Sequence, residues 1–544
     1  MPSPIWAAIV VLSFAQWLGL LVVAVSGSKK PAETLTWVMI CLVVPLLGVP
    51  LYFILTARVP KRLHLPWEHS SHQFSGVENS SEHDHGVELR QRNAWKMEAG
   101  LMGQLDIYQA ESQQMHESLH MHTKRGSQTR RVIQFAIHHF SSRCIQAEIQ
   151  TFHAGDKFYQ AMLQDINRAS YSIDVEFYIF RDDEVGRAIV QLLSEQARRG
   201  LKVRFLRDGL GSRKFPQSVV QQLQDSGVEC RVFSPLRAPF LSRHLNHRDH
   251  CKIVIIDEKV GYTGGMNVGR EYAGRDPKYG LWRDTSVRIA SETRLPLLDL
   301  FEANFCVAEE ECEHRSASGE KTRKGEDFKT AGSASVPSDM SMSSWAEEDN
   351  KILTKGKTNN ARTLRGEVQF VQSGPDTKQN LRQLYFLCLT QAKHQVEIIT
   401  PYFLPESDLI MALTTAVSRG VKVRLLLPEQ VDHRIIGMAC QTYFPALLDA
   451  GVEIYLYRPG VLHAKVMTVD CDVAIVGAAN YDLRSFRLNY EVCLVQYGSA
   501  VTHHLRQQFE HDLVASRRLL ENELRTSPIA KLKHRTARLA APLC

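Results

Sequence analysis

The chain has no Cys-x-x-Cys pair among its eleven cysteines, an odd number scattered from Cys41 to Cys544. That excludes a zinc-ribbon spacing and offers no disulfide framework, so the cysteines read as free thiols of a reducing compartment. A large excess of one charge is also missing, since 65 basic residues face 59 acidic ones for a net charge of +6. So mild an imbalance singles out no polyanion and is compatible with a membrane surface. Charge is absent altogether from Ile5 to Val25 (21 residues) and from Leu35 to Thr56 (22 residues). Each stretch is long enough to cross about 30 Å of hydrocarbon as a helix, and the first lacks the basic start of a signal peptide. Two transmembrane helices are therefore expected within residues 1–60, making the chain a multi-pass protein of the cell membrane. Lys29 and Lys30 lie between the spans and Arg58, Lys61 and Arg62 after them, a bias that puts the rest of the chain in the cytoplasm.

Sustained apolar periodicity is missing from residues 61–131, a tether rich in Ser, His, Glu and Gln, and from 309–365, an insert rich in Ser, Lys, Glu and Gly. The tether holds His116-Glu117-Ser118-Leu119-His120. This zinc-protease pattern has no rigid apolar helix and no third ligand here, so it reads as a chance match. The insert divides the soluble part into domains 132–308 and 366–520, followed by a basic tail, 521–544. In the tail, Lys531, Lys533, His534, Arg535 and Arg538 alternate with Ile529, Leu532 and Leu539. This is equally a lipid-facing segment or a solvated charge run.

The two domains repeat each other. Arg199-Gly200-Leu201-Lys202-Val203-Arg204 returns as Arg419-Gly420-Val421-Lys422-Val423-Arg424, and Ser226-Gly227-Val228-Glu229 as Ala450-Gly451-Val452-Glu453. Apolar runs such as Ile173 to Ile179 and Val396 to Ile399 alternate with amphipathic stretches such as Glu184 to Ala197 and Ser407 to Val417. The alternation predicts an α/β fold of two repeated halves, each with a mostly parallel sheet, facing one shared site.

After each repeated block comes one constellation: His250-x-Lys252-x4-Asp257 with Gly264 and Asn267, and His463-x-Lys465-x4-Asp470 with Gly477 and Asn480, at identical offsets. His and Lys two apart on extended chain share a face. The glycine is expected to let backbone approach a ligand, and each asparagine to supply an amide donor. Two imidazoles, two ammoniums and two amides suit a phosphodiester: cations take up charge on the non-bridging oxygens, one neutral imidazole attacks phosphorus, and the other, protonated, serves the departing alkoxide. No metal and no cofactor is called for. Opposite protonation states require separate carboxylate partners, for which Asp284 and Glu491 are the candidates, at +34 and +28 from the two histidines.

At these residues the chain resembles the phospholipase D superfamily, whose signature is the doubled His-x-Lys-x4-Asp with a trailing Gly-x-x-Asn. It resembles the bacterial cardiolipin synthases more closely, through Tyr262-Thr263-Gly264-Gly265-Met266-Asn267, Trp282-Arg283-Asp284-Thr285, Ser373-Gly374-Pro375-Asp376, Thr400-Pro401-Tyr402-Phe403-Leu404-Pro405 and Arg484-Ser485-Phe486-Arg487-Leu488-Asn489-Tyr490-Glu491. The resemblance runs from about Val132 to the end. It implies two phospholipase D-like domains with one active site that condenses two phosphatidylglycerol molecules into cardiolipin and glycerol, without metal. It implies His250 as nucleophile, His463 as acid and base, Glu491 orienting His250 and Asp284 orienting His463. Asp257 and Asp470 belong to the catalytic motif, yet their role looks structural.

The implied partners are phosphatidylglycerol, other anionic phospholipids and the membrane, not nucleic acid; the sequence says nothing about oligomeric state. The chain departs from the pattern at Cys251, where an arginine is frequent, and at Ala478 and Ala479, where a hydroxyl residue is frequent. A phospholipase D hydrolase, a nuclease and a silent membrane scaffold share the motif. The hairpin weighs against the nuclease and the two complete motifs against the scaffold.

Overall fold

A computed structural model describes residues 127–140, 142–234, 247–317, 363–524, 533–534 and 536–538. The expected membrane spans, residues 61–126 of the tether with the His116 to His120 pattern, and residues 318–362 of the insert lie outside these residues. Among the described residues no helix is long and apolar enough to cross a membrane.

The first half runs α1 (Ser127–Phe140), β1 (Cys144–Phe152), α2 (Gly155–Asn167), β2 (Ser172–Phe177), α3 (Glu184–Arg198), β3 (Lys202–Asp208), α4 (Gln217–Asp225), β4 (Glu229–Phe233), β5 (Lys252–Ile256), β6 (Val260–Gly264), β7 (Trp282–Arg283), β8 (Ser286–Ala290) and α5 (Leu297–Ala317). The second runs β9 (Leu364–Ser373), α6 (Asn380–Gln391), β10 (Gln395–Ile399), β11 (Phe403–Leu404), α7 (Ser407–Ser418), β12 (Lys422–Pro428), α8 (Arg434–Cys440), α9 (Phe444–Asp449), β13 (Glu453–Tyr457), β14 (Val461–Leu462), β15 (Val466–Val469), β16 (Val473–Gly477), β17 (Tyr481–Asp482), α10 (Leu483–Arg487), β18 (Glu491–Tyr497), α11 (Ser499–Val514) and β19 (Ser516–Arg518). The repeated Arg-Gly pair has a local cause. Gly200 and Gly420 follow α3 and α7 with φ of 93° and 86°, the left-handed turn that ends a helix and returns the chain to a strand. At the other end of α3, Asp183 caps the helix by accepting from the N–H groups of Val185 and Gly186 at 3.1 Å.

Fifteen strands form one sheet in the order β19-β13-β12-β10-β15-β16-β18-β9-β1-β8-β6-β5-β2-β3-β4. Apart from the extra edge strand β19, which pairs antiparallel with β13, the halves have the same internal order and meet edge to edge at the antiparallel pair β1 and β9, so the sheet runs through both halves. The expected mostly parallel sheet is corrected. Only β2-β3-β4 and β10-β12-β13 are parallel, and the strands nearer the seam pair antiparallel. Helix-strand alternation marks the crossover units, while β5-β6 and β15-β16 are hairpins, and short apolar runs look alike in both. Strands β5, β15 and β16 are buried along their whole length, as near-continuous apolar runs require when both faces are covered.

The boundary drawn at residue 132 is not a packing boundary. Val132, Ile133 and Ile137 of α1 sit in the same core as Leu381, Leu384 and Leu413 of the second half, and Arg131 donates to Gln391 at 2.8 Å. The ends of the insert shift as well, since α5 continues to Ala317 and β9 begins at Leu364. In the tail, Ala537 packs with Ala439, and the Arg538 guanidinium lies 4.3 Å from the Tyr443 ring.

Asp257 and Asp470 hold backbone. Each follows a buried strand with φ near 50° (49° and 51°), a conformation that asparagine and aspartate tolerate better than most side chains. The Asp257 carboxylate accepts from Ser170, Tyr171 and Ser172 N–H at 2.8–3.1 Å, and that of Asp470 from Lys393, His394 and Gln395 N–H at 2.7–3.0 Å. Each therefore pins the turn after the motif strand to the start of the neighbouring strand. Asp470→Ala is expected to orphan three donors and cost about 2 kcal/mol of stability. The fall in unfolding midpoint in detergent measures it, and an unchanged midpoint would contradict the clamp.

Candidate active site

Two short cross-connections between the halves build the site. Strand β14 pairs in parallel with β7, and Asp249 bridges in parallel to Tyr490. Through them His463 N donates to Arg283 O at 2.7 Å, and His250 N donates to Tyr490 O at 2.9 Å. The next residue of each partner strand is a carboxylate, Asp284 in one case and Glu491 in the other. Asp284 Oδ2 lies 2.7 Å from His463 Nδ1, and Glu491 Oε2 lies 2.9 Å from His250 Nδ1. Each histidine thus meets the carboxylate of the opposite half. The link is anchored at Arg283, which is buried, donates to Asp512 at 2.8–3.3 Å, and reaches Asp284 O and Thr285 Oγ1 at 2.6 and 2.8 Å.

The glycines have a different purpose from the one expected of them. A Cβ on Gly264 would fall 2.4 Å from Ser286 Cα, and one on Gly477 would fall 2.4 Å from Cys493 Sγ. Both neighbours lie in strands just after the carboxylates, so the glycines admit β8 and β18 rather than a ligand. Asn267 Oδ1 accepts from Ile179 N at 3.2 Å. Asn480 is buried, its backbone N–H bonds Ser485 Oγ at 3.0 Å, and its Oδ1 has no partner among the described residues.

Both lysines are buried. Lys252 Nζ donates to His250 O at 2.6 Å and lies 5.5 Å from the Tyr178 ring centroid; Lys465 Nζ donates to His463 O and lies against the His463 ring. Burial pushes Lys252 down to about 8, with the Glu491 charge opposing, and lowers Lys465, with Asp284 opposing.

The two imidazoles sit in unlike fields. Burial holds His250 well below the usual histidine value, and Lys252, Lys465, His463 and Arg484 add to the shift. Burial and Lys465 also lower His463, but the charges of Asp284 and Asp432 work against them. Burial lifts Glu491 to about 7. Asp284 is pushed up by burial, yet Lys465 and His463 outweigh this and keep its carboxyl below the usual range. Glu491 is thus close to titrating at neutral pH, while Asp284 stays ionised.

The wall contains residues that the sequence reading did not assign. Tyr178 packs against His250 at 4.9 Å, and Trp282, Tyr402 and Tyr272 surround His463 at 5.2, 6.3 and 6.5 Å between ring centroids. Asn489 Nδ2 donates to Glu491 Oε1 at 3.3 Å. Tyr402 and Asn489 lie within quoted motifs, whereas Asp432 and Tyr178 have no counterpart in the doubled pattern.

The atypical residues pack as apolar ones do. Cys251 is buried with its thiol pushed well up by burial, and Ala478 and Ala479 lie in the core. Behind His250, Glu176, Asp249 and Cys251 form a cluster of metal-ligating type. Asn304 Nδ2 donates into it at 2.6 Å, and burial and Asp208 lift Asp249 to about 6. The cluster therefore suits a shared proton. The cysteines at 144, 230, 251, 306, 388, 440, 471 and 493 are free thiols.

The family described as "Cardiolipin synthase, PLD-like domain" matches residues 162–287 and 385–513, one segment in each half. Cardiolipin synthase 2 of Bacillus anthracis is 36% identical over 400 residues, 73% of this chain and 71% of that one. The cardiolipin synthase of Geobacillus sp. (strain WCH70) is 31% identical over 521 residues, 95% of this chain and 90% of that one. Among solved structures, a phosphatidylserine synthase of Haemophilus influenzae Rd KW20 is similar in fold, with a TM-score of 0.51 at 16% identity over 77% of this chain and 99% of that one.

Proposed function

The chain belongs to the PLD-like cardiolipin synthase family, and from that premise we propose that it is a phosphatidyltransferase acting on phosphatidylglycerol. It moves a phosphatidyl group from one molecule to a second through a phosphohistidine and releases glycerol. The observation that carries this reading is the crossed pairing of each histidine with the other half's carboxylate in unlike fields. His250, neutral and with Nδ1–H directed at Glu491, attacks phosphorus with the Nε2 lone pair. The bond from phosphorus to the glycerol oxygen breaks, and His463 gives that oxygen its proton. The hydroxyl of the second phosphatidylglycerol then returns a proton to His463, bonds phosphorus through its oxygen, and displaces His250. Lys252, Lys465, Asn267 and Asn480 take up charge on the non-bridging oxygens, electrostatic work that a divalent ion does in other phosphoryl-transfer sites.

The relative from Geobacillus sp. (strain WCH70) matches 95% of the chain, and the two uncharged N-terminal stretches suit an anchor that keeps the enzyme at its lipid. We read them as the two spans of a cell-membrane protein with the catalytic part in the cytoplasm.

Vesicles of pure phosphatidylglycerol incubated with the full chain and excess chelator should yield cardiolipin and glycerol in equal amounts. Phosphatidic acid as the dominant product would instead identify a hydrolase using water as the second nucleophile, and no turnover at all would fit a silent scaffold.

A further inference from the structure

The places where the two halves cease to repeat separate their tasks. In the first half, the carboxylate that ends β3 is consumed internally. Asp208 accepts from Arg248 at 3.0–3.3 Å, and from the N–H groups of Leu210, Gly211 and Asp249 at 2.8–3.1 Å. Beyond β12, the second half presents Asp432. Both its oxygens lie 2.8 Å from the Tyr402 hydroxyl, and Oδ1 also accepts from His433 N at 3.0 Å. His433 Nε2 lies 4.0 Å from it, and no Lys or Arg among the described residues forms an ion pair with it. The Tyr402 ring that holds it stands edge-on to His463, and the charge of Asp432 is felt by both His463 and Lys465.

An uncompensated carboxylate repels a phosphodiester, so its use in such a site has to lie with hydrogen-bond donors. A carboxylate has about four acceptor positions, and one tyrosine proton and one backbone N–H leave some of them open. His463 serves the oxygen that departs and the oxygen that arrives, so the alcohol portion of both substrates lies on its side.

We propose that Asp432, held by Tyr402, is the acceptor that recognises the hydroxyl groups of a polyol: the departing glycerol, and then the glycerol head of the attacking phosphatidylglycerol. The assignment rests on the phosphatidyl-transfer reading and names the specificity of the same site. Asp432 exchanges no proton in the reaction. It binds a hydroxyl neighbouring the reacting one, whose own proton goes to His463 as its oxygen bonds phosphorus and the bond to His250 breaks.

The test is the partition of the phosphatidyl intermediate between alcohol and water. The full chain is supplied with cardiolipin in glycerol-water or ethanol-water mixtures. The ratio of transfer product to phosphatidic acid is then read for the wild type and for Asp432→Asn. Water and alcohol both need His463, so an effect exerted through that histidine, or through the folded fraction, cancels in the ratio. Asp432→Asn should lower the glycerol ratio about tenfold, the loss typical of a hydrogen bond to a charged group, and should move the ethanol ratio less than about threefold. Glycerol ratios equal to wild type would overturn the assignment, and so would equal falls for glycerol and ethanol, which would mean loss of water exclusion rather than of polyol recognition. A wild type that forms only phosphatidic acid at every glycerol concentration would overturn the transferase reading itself.

Discussion

His250→Ala and His463→Ala are each expected to reduce cardiolipin formation from phosphatidylglycerol by roughly a thousandfold or more, because one chain of proton transfers uses both imidazoles. The two variants should separate with a donor whose leaving group needs no proton, such as the 4-nitrophenyl ester of a phosphatidyl group. His463→Ala should still release about one nitrophenolate per enzyme and then stall, with phosphatidyl trapped on His250, since its first step has lost only an acid that this leaving group does not require. His250→Ala should give no burst. A burst from His250→Ala and none from His463→Ala would reverse the roles, and near-normal turnover of either folded variant would remove the two-histidine mechanism. The unlike fields favour the stated order: His250, lowered furthest and surrounded by cations, is neutral as a nucleophile must be. His463 has Asp284 and Asp432 to stabilise a proton.

The carboxylates should give the second large effect, through the pH profile. Glu491 is lifted to about 7 and Lys252 lowered to about 8. As pH falls below the first value, Glu491 gains a proton and becomes a hydrogen-bond donor to His250 Nδ1, so the imidazole's own proton sits on Nε2, which then has no lone pair for attack. As pH rises above the second, the ammonium that faces the phosphate loses its charge. The profile should therefore be a narrow bell between these limits, with a bound phosphodiester pushing the alkaline limb upward. Glu491→Gln removes the titrating group. The acid limb should then move down, towards protonation of His250 itself, on a plateau lowered roughly a hundredfold by imperfect control of the tautomer. Asp284→Asn removes a charge that stays ionised, so His463 should hold its proton only at lower pH and the optimum should shift to the acid side with a loss of similar size. The nitrophenyl donor should relieve Asp284→Asn in the first step but leave Glu491→Gln slow. Wild-type profiles in both variants would mean that the two carboxylates serve the fold alone.

Much of the site can be read from the chain because the chemistry is written twice. His250 with Lys252 and His463 with Lys465 are local pairs, two residues apart on extended backbone, and their spacing to Asn267 and Asn480 is set by a hairpin of constant length. The same locality hid the sheet. The residues of β5-β6 and β15-β16 are as apolar as those of the crossover units, and a short apolar run carries no mark of its direction, so a mostly parallel sheet was the natural but incorrect expectation. The glycines misled for a related reason. A glycine announces close approach, but whether a ligand or a neighbouring strand does the approaching is decided by sheet register.

By itself the sequence determined the α/β class, the twofold repeat, the histidine and lysine pairs, and two uncharged stretches long enough to span a bilayer, since all of these are properties of neighbours along the chain. Only the tertiary structure decided that the halves join edge to edge through β1 and β9, that α1 packs on the second half, and that Asp257 and Asp470 clamp backbone. It also joined His250 to Glu491 and His463 to Asp284, 241 and 179 residues away, and left Asp432 without a lysine or arginine partner among the described residues. Such pairings follow from strand register and from which charges share a buried volume, and the pairwise energies that select them act through space rather than along the chain.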